Sequence, residues 1–287
     1  MANLFPKTID FRITSACNMN CCYCFGPKGI ESIPVFQFIP FFEEAYKNGC
    51  RNIVITGGEP TLCPDFLNIT YELRKIGYRL VLSSNGIYWF DERIREVVMK
   101  KFDCIGLPLD SADAEVHNYM RGGSRGHFQL IKEIMHDLKT LKPDERPGIK
   151  VSTVLCRLNY SEIEMLPDIM ECTPDIWKIY QLSRSSGNND FYDQYHIPEE
   201  DFLACLQRVK TRNAGMPTRI VGSLEKERDG KYLFLEPNGD LMTIKNNREH
   251  VIASISDDPD RIMQAISNHL DTDKLYTNFM DSFGGRA

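Results

Sequence analysis

Four cysteines fall within eight positions in the stretch Cys17-Asn-Met-Asn-Cys21-Cys22-Tyr23-Cys24-Phe25, and three of them have the spacing C-x3-C-x2-C. Thiolates so spaced can converge from one loop onto one face of an iron-sulfur cube. A [4Fe-4S] cluster usually takes four Cys ligands, so three from Cys17, Cys21 and Cys24 leave one iron open. Zinc is the alternative for a cysteine cluster, but structural zinc sites close with four ligands, usually from paired C-x2-C units. No second C-x2-C or His pair follows at such spacing.

A second motif, Gly57-Gly58-Glu59-Pro60, closes a compact Ile-Val-Ile run. Two glycines let the backbone approach a ligand, and a carboxylate can face a cation. Together the motifs resemble the radical S-adenosylmethionine (SAM) superfamily, and the likeness runs from about Ile9 to Arg212. In that family the open iron chelates the amino and carboxylate groups of SAM, and an electron from the cluster cleaves the sulfonium to a 5′-deoxyadenosyl radical. The resemblance implies that Cys17, Cys21 and Cys24 hold one cluster, that Tyr23 lies near adenine and that Gly57, Gly58 and Glu59 position methionine. It also implies a flavodoxin or ferredoxin as electron donor. The adjacent Cys22 departs from the family pattern; Cys21 is preferred because it keeps the family spacing.

The elements that must position these residues alternate. Thr8 to Thr14 reads as a strand, Phe36 to Asn48 as a helix, Asn52 to Thr56 as a buried strand, and Phe66 to Ile76 as a helix. Arg79 to Ser84, Phe102 to Leu109, Ile149 to Leu155 and Ile176 to Leu182 continue the strands. Asp91 to Lys100, Asp113 to Tyr119, Phe128 to Leu141, Glu162 to Met170 and Pro198 to Arg212 supply the helices. Alternation of this kind gives a parallel sheet whose ligands sit beyond the carboxyl ends of the strands. Six strands are too few for an eight-strand barrel. The expected fold is α/β, a partial (β/α)6 TIM-like barrel over residues 1–212, with a small C-terminal α+β extension at 213–287. The extension should hold a hairpin at Pro237-Asn238-Gly239-Asp240, a helix from Asp260 to Leu270 and a tail ending Phe283-Gly-Gly-Arg-Ala.

Ser83, Asn85 and Asp110 fall at the open edge, where hydroxyl, amide and carboxylate groups suit a ribose or a methionine carboxylate. They also suit helix caps and turns. Arg121 belongs to a glycine-rich basic loop that could hold phosphate or simply anchor a connection. Lys150 and Ser152 share a strand face, as do Lys178 and Tyr180, and those strands could present them to a reaction chamber. The stretch Ser183 to His196 is a candidate lid or a plain surface loop.

Trp177-Lys178-x-x-Gln181, the Lys150 strand and Tyr232-Leu-Phe-Leu-Glu are similar to viperin-like enzymes, which dehydrate nucleoside triphosphates. Gly26-Pro27 and Ile176 depart from that subgroup. A small organic substrate such as a nucleotide is one expectation. A peptide side chain is another, without auxiliary clusters because no cysteine follows Cys205. A noncatalytic iron-sulfur or SAM-binding protein is the third. A net charge of -6 argues against polymeric nucleic acid as partner. No apolar run reaches membrane-span length and the N-terminus lacks a signal-peptide core, which predicts a cytoplasmic protein without membrane contact. The other six cysteines are then buried free thiols.

Cys22→Ala is expected to retain the cluster and Cys21→Ala to lose it. Iron analysis of the two reconstituted variants checks this, and swapped losses would make Cys22 the ligand.

Overall fold

A computed structural model describes residues 5–185 and 188–271 of the chain. Its strands are β1 (Thr8–Thr14), β2 (Asn52–Gly57), β3 (Arg79–Ser83), β4 (Cys104–Pro108), β5 (Gly148–Leu155), β6 (Ile176–Gln181), β7 (Arg219–Ser223), β8 (Phe234–Leu235), β9 (Asp240–Lys245) and β10 (Arg248–Ser254). The helices are α1 (Ile39–Lys47), α2 (Phe66–Ile76), α3 (Glu92–Lys101), α4 (Ala114–Met120), α5 (His127–Lys139), α6 (Leu166–Ile169), α7 (Asn189–Tyr195), α8 (Glu199–Arg212) and α9 (Pro259–His269). All strands join one sheet in the order β10-β9-β8-β1-β2-β3-β4-β5-β6-β7, and neighbours from β8 through β1 to β7 pair in parallel. Helices cover its outer face, as parallel sheets require.

The two faces of β1 have opposite chemistry. Ile9, Phe11 and Ile13 are buried outward, with the Phe11 ring 4.9 Å from Phe38 and 5.2 Å from Phe42. Thr8, Asp10 and Arg12 alternate with them and line a cavity on the inner face. A strand buried on both sides would be apolar on both. This pattern instead marks a barrel interior left open for a ligand.

The partial barrel expected from the sequence is present, with differences at its ends. Thr218 to Ser223, assigned to the extension, supplies β7, a seventh parallel strand beside β6. The rest of the extension joins the opposite edge through β8 and β1. Strand β10 was not expected; it follows β9 through Asn246 and Asn247, both at positive φ (51° and 56°), the geometry of a two-residue hairpin turn. The expected helix from Glu162 to Met170 is a 3-10 turn at Ile163–Met165 followed by the short α6. Pro167 has no N–H to bond back to Ile163, which interrupts the α ladder. The tail beginning at Phe283 lies outside the described residues.

Two polar assemblies fasten the sheet. Where β1 meets the C-terminal strands, Arg12 Nη1 donates to Glu236 Oε1 (2.6 Å) and Glu249 Oε1 (3.5 Å), and Nη2 donates to the Phe25 carbonyl (3.3 Å). The Arg12 and Glu236 side chains are only 4% and 5% exposed, so each needs the other's charge. Between β3 and β4 a chain of imidazoles runs through α4 and α5. The Asp110 N–H donates to His117 Nδ1 (3.1 Å), His117 Nε2 meets His127 Nδ1 (2.9 Å), and His127 Nε2 meets the Asn85 carbonyl (2.8 Å). Because a carbonyl only accepts, His127 carries its proton on Nε2 and His117 does likewise, so both rings are neutral. Burial pushes His117 down to about 3 and His127 down to about 4.

Arg12→Met leaves Glu236 buried without its counterion and should cost about 3–5 kcal/mol. Adding Glu236→Leu should restore much of that loss, both read from urea unfolding. The unfolded chain protonates each histidine near its ordinary value of 6.5 whereas the folded chain does not. Their contribution is therefore complete above that pH and is lost as pH falls toward about 4, by about 1.4 kcal/mol per pH unit for each ring. Replacing both with Gln should flatten the pH dependence of unfolding in that window.

Candidate functional site

The cysteine loop leaves β1 at its carboxyl end and is held by its own backbone. The Met19 N–H points to Cys17 Sγ (3.4 Å), the Gly26 N–H to Cys24 Sγ (3.3 Å), and the Arg121 guanidinium to Cys21 Sγ (3.7 Å). Cys24 lies close enough to Cys17 and Cys21 for its charge to act on both, while burial pushes those two thiols up. Cys22 points elsewhere: its thiol donates to the Tyr119 carbonyl (3.4 Å), and its side chain packs with Met120, Cys156, Leu182 and Phe191. The six scattered cysteines are buried free thiols, as expected.

The Gly57-Gly58 turn at the end of β2 packs directly under this loop. Gly58 N–H donates to Thr14 O (2.7 Å) and Glu59 N–H to Ala16 O (2.8 Å). A Cβ at Gly58 would lie 2.2 Å from Ala16 O, and one at Gly26 would lie 2.8 Å from Gly57 O and 3.4 Å from Cys24 Sγ. The Gly26 departure thus has a packing cause. Three thiols presented over a backbone cradle too tight for side chains suit a sulfur-ligated cluster.

Several expected ligand groups are engaged within the protein. Glu59 is fully buried; Oε1 accepts from Thr61 N (3.1 Å), Thr61 Oγ1 (2.6 Å) and Ser84 Oγ (2.8 Å), and Oε2 accepts from Asn85 N (2.7 Å). It joins the β2 and β3 turns. Asn85 Nδ2 donates to Asn18 Oδ1 (2.8 Å), linking β3 to the cysteine loop. Asp110 accepts from Tyr23 OH (2.7 Å), Arg121 Nε (2.9 Å) and the Val154 N–H (2.9 Å). Arg121 therefore bridges Asp110 to Cys21 rather than standing free for phosphate. The candidate lid contains α7 and is fastened to the loop below: Ser185 Oγ donates to Cys24 O (3.0 Å) and Asn188 Nδ2 to Tyr23 O (3.2 Å).

Tyr23, Gly57, Ser83, Lys150, Lys178 and Tyr180 do meet, in a cavity of about 370 Å³ inside the sheet. Lys150 Nζ donates to Tyr180 OH (3.1 Å) and Lys178 Nζ to Tyr232 OH (3.3 Å). Sequence reasoning missed Asp10, Arg12, Arg228 and Lys231, which share this lining with Tyr232 of the Tyr232-Leu-Phe-Leu-Glu stretch. The alternation of β1 carried the signal for Asp10 and Arg12; nothing periodic marks Arg228 or Lys231. The Arg228 guanidinium lies 3.9 Å from the Phe25 ring centroid. Among the described lining residues Asp10 is the sole carboxylate beside five basic side chains. Burial pushes Asp10 up to about 6 against the pull of Lys150 and Lys178. Tyr180, which burial alone would raise, is drawn down to about 8 by Lys150 and Lys178. Among the described residues no helix is long and apolar enough to cross a membrane.

Comparison with known proteins agrees with this geometry. Residues 11–170 match the Radical SAM superfamily model. The chain is 25% identical over 243 residues to an S-adenosylmethionine-dependent nucleotide dehydratase of Lacinutrix mariniflava, covering 81% of this chain and about half (49%) of that protein. It is 23% identical to a protein of the same name from Flammeovirga pacifica, covering 85% of this chain and 84% of that one. Streptococcus suis SuiB bound to the precursor peptide SuiA shares the fold, with a TM-score of 0.67 at 15% identity over 98% of this chain and 65% of SuiB. With more than half its length matched, and the cysteine loop and glycine turn joined as described, the chain belongs to the radical SAM superfamily and is an enzyme.

Proposed function

We propose that the enzyme acts on a nucleotide or a closely similar phosphorylated metabolite held in the barrel interior. The observation that carries this reading is the charge of the cavity: Lys150, Lys178, Arg228 and Lys231 surround one chamber whose only described carboxylate is Asp10. Arg12 is already matched by Glu236 and Glu249, and the described lining still carries more basic than acidic side chains. The two relatives named as nucleotide dehydratases support the same substrate class.

In this reading Cys17, Cys21 and Cys24 hold one [4Fe-4S] cluster, and the Gly57-Gly58 backbone with Tyr23 and Ser83 bounds the SAM site. When bound, cluster and SAM supply a carbon-centred radical that removes a hydrogen atom from the substrate, with a flavodoxin or ferredoxin as the electron source. The chain's task is to aim and enclose. Arg121 sets Cys21 through its guanidinium, Asp110 sets Arg121 and Tyr23, and Glu59 fixes the turns of β2 and β3 relative to each other. The basic side chains of the lining offset the charge of the substrate's phosphates within the chamber. The α7 segment is fastened to the cysteine loop through Ser185 and Asn188, which fixes the loop from above.

Anaerobic reconstitution with iron and sulfide, reduction with dithionite and addition of SAM should yield 5′-deoxyadenosine that disappears in Cys17→Ala. Nucleoside triphosphates should raise that yield about 10-fold or more, and Lys178→Met should abolish the increase, by about 2–3 kcal/mol of lost charge-assisted binding. Mass spectrometry reads both the nucleoside and any dehydrated nucleotide. Stimulation by peptides and not by nucleotides would reverse the substrate assignment.

A further inference from the structure

Three tyrosines border the cavity, and their surroundings differ in charge. The Tyr23 hydroxyl donates to the Asp110 carboxylate, which together with burial raises it well above the ordinary phenol range. Tyr232 receives one ammonium hydrogen bond, from Lys178. Tyr180 lies between two ammonium groups: Lys150 Nζ donates to its hydroxyl at 3.1 Å, and Lys178 Nζ stands 4.7 Å from its ring centroid. Lys178 and Tyr180 share the inner face of β6 by alternation, and Lys150, paired with Ile176 at the start of the β5–β6 register, reaches Tyr180 along that face with its long side chain. The groups facing Tyr180 are Lys150 from β5, Lys178 from β6, Asp10 from β1, and Tyr232 and Arg228 from the segment between β7 and β8.

We propose that Tyr180 is the acid of the reaction, a phenol that delivers its proton to an oxygen of the substrate. The step moves one proton and no electron. The phenolic O–H bond breaks, a new O–H bond forms on the substrate oxygen, and the electron pair stays on Tyr180 as a phenolate facing the two ammonium groups. Water restores the proton as product leaves. An acid serves best when its pKa lies near the working pH and its conjugate base is stabilised in place. The flanking lysines meet both conditions, with the phenol at about 8. Burial, with a smaller contribution from Asp10 across the cavity, opposes them and keeps the phenol protonated near neutrality. The proposal rests on a substrate in the barrel interior and does not require that it be a nucleotide.

Two measurements test it, and the first needs neither cluster nor substrate. Titration of the apoprotein by phenolate absorbance should show one tyrosine ionising near pH 8, a transition missing in Tyr180→Phe and moved upward in Lys150→Met. The second uses the reconstituted enzyme at saturating substrate. Product formed per 5′-deoxyadenosine should fall about 100-fold in Tyr180→Phe, and the wild-type product rate should decline as pH rises through about 8. An unchanged titration in Tyr180→Phe would overturn the proposal whatever the substrate. So would an equal loss of product and 5′-deoxyadenosine, which would reduce Tyr180 to a binding residue. Failure of nucleotides as substrates, with the titration as expected, would count against the substrate reading alone.

Discussion

Everything at the open end of this sheet depends on how closely two backbones approach. The turn after β2 lies against the chain leaving β1, with Gly58 and Glu59 hydrogen-bonded to Thr14 and Ala16 and no room for a single Cβ at Gly58. That approach fixes the root of the cysteine loop. Gly26 closes the loop over the same turn, where its N–H reaches Cys24 Sγ and its Cα hydrogens face Gly57 O. A side chain at either position would push the thiols away from the turn, so the glycines are a steric requirement before they are a ligand surface.

Around this core, charge is divided between positioning and binding. Glu59 and Asp110 are spent inside the protein, one on the turns and one on Tyr23 and Arg121. Arg12 is spent on Glu236 and Glu249. The lysines of β5 and β6 meet phenols, Lys150 at Tyr180 and Lys178 at Tyr232, which tolerate a neighbouring cation. The result is a chamber whose described lining carries five basic side chains and one carboxylate.

Much of this was legible from residue type and spacing. The cysteine loop, the glycine turn, the alternating elements and the shared face of Lys178 and Tyr180 all follow from patterns confined to a few adjacent positions. The roles of Glu59 and Asp110 were not legible, because whether a carboxylate meets a ligand or a neighbouring N–H depends on strands far away in sequence. His117 and His127 form a relay only once α4 and α5 are packed. Asn246-Asn247 did carry a signal for the β9–β10 turn, since both residues tolerate positive φ. Arg228 ends a single 3-10 turn (Glu225–Arg228) and Lys231 follows it in a loop, both too short for a period to reveal which way they face. The reach of β8 across to β1 is likewise a matter of topology, invisible to local pattern.

That reach has a consequence for how the chain is made. Arg12 and its partner Glu236 are separated by 224 positions, so a ribosome adding roughly 5–20 residues per second delivers the second on the order of tens of seconds after the first. During that interval the first strand has one free edge and an unmatched guanidinium beside the thiols. Synthesis therefore opens a window in which the cysteine loop is complete in sequence but unsupported on one flank. Closure of the sheet on that flank is a late event of folding, since it waits on a partner 224 positions away.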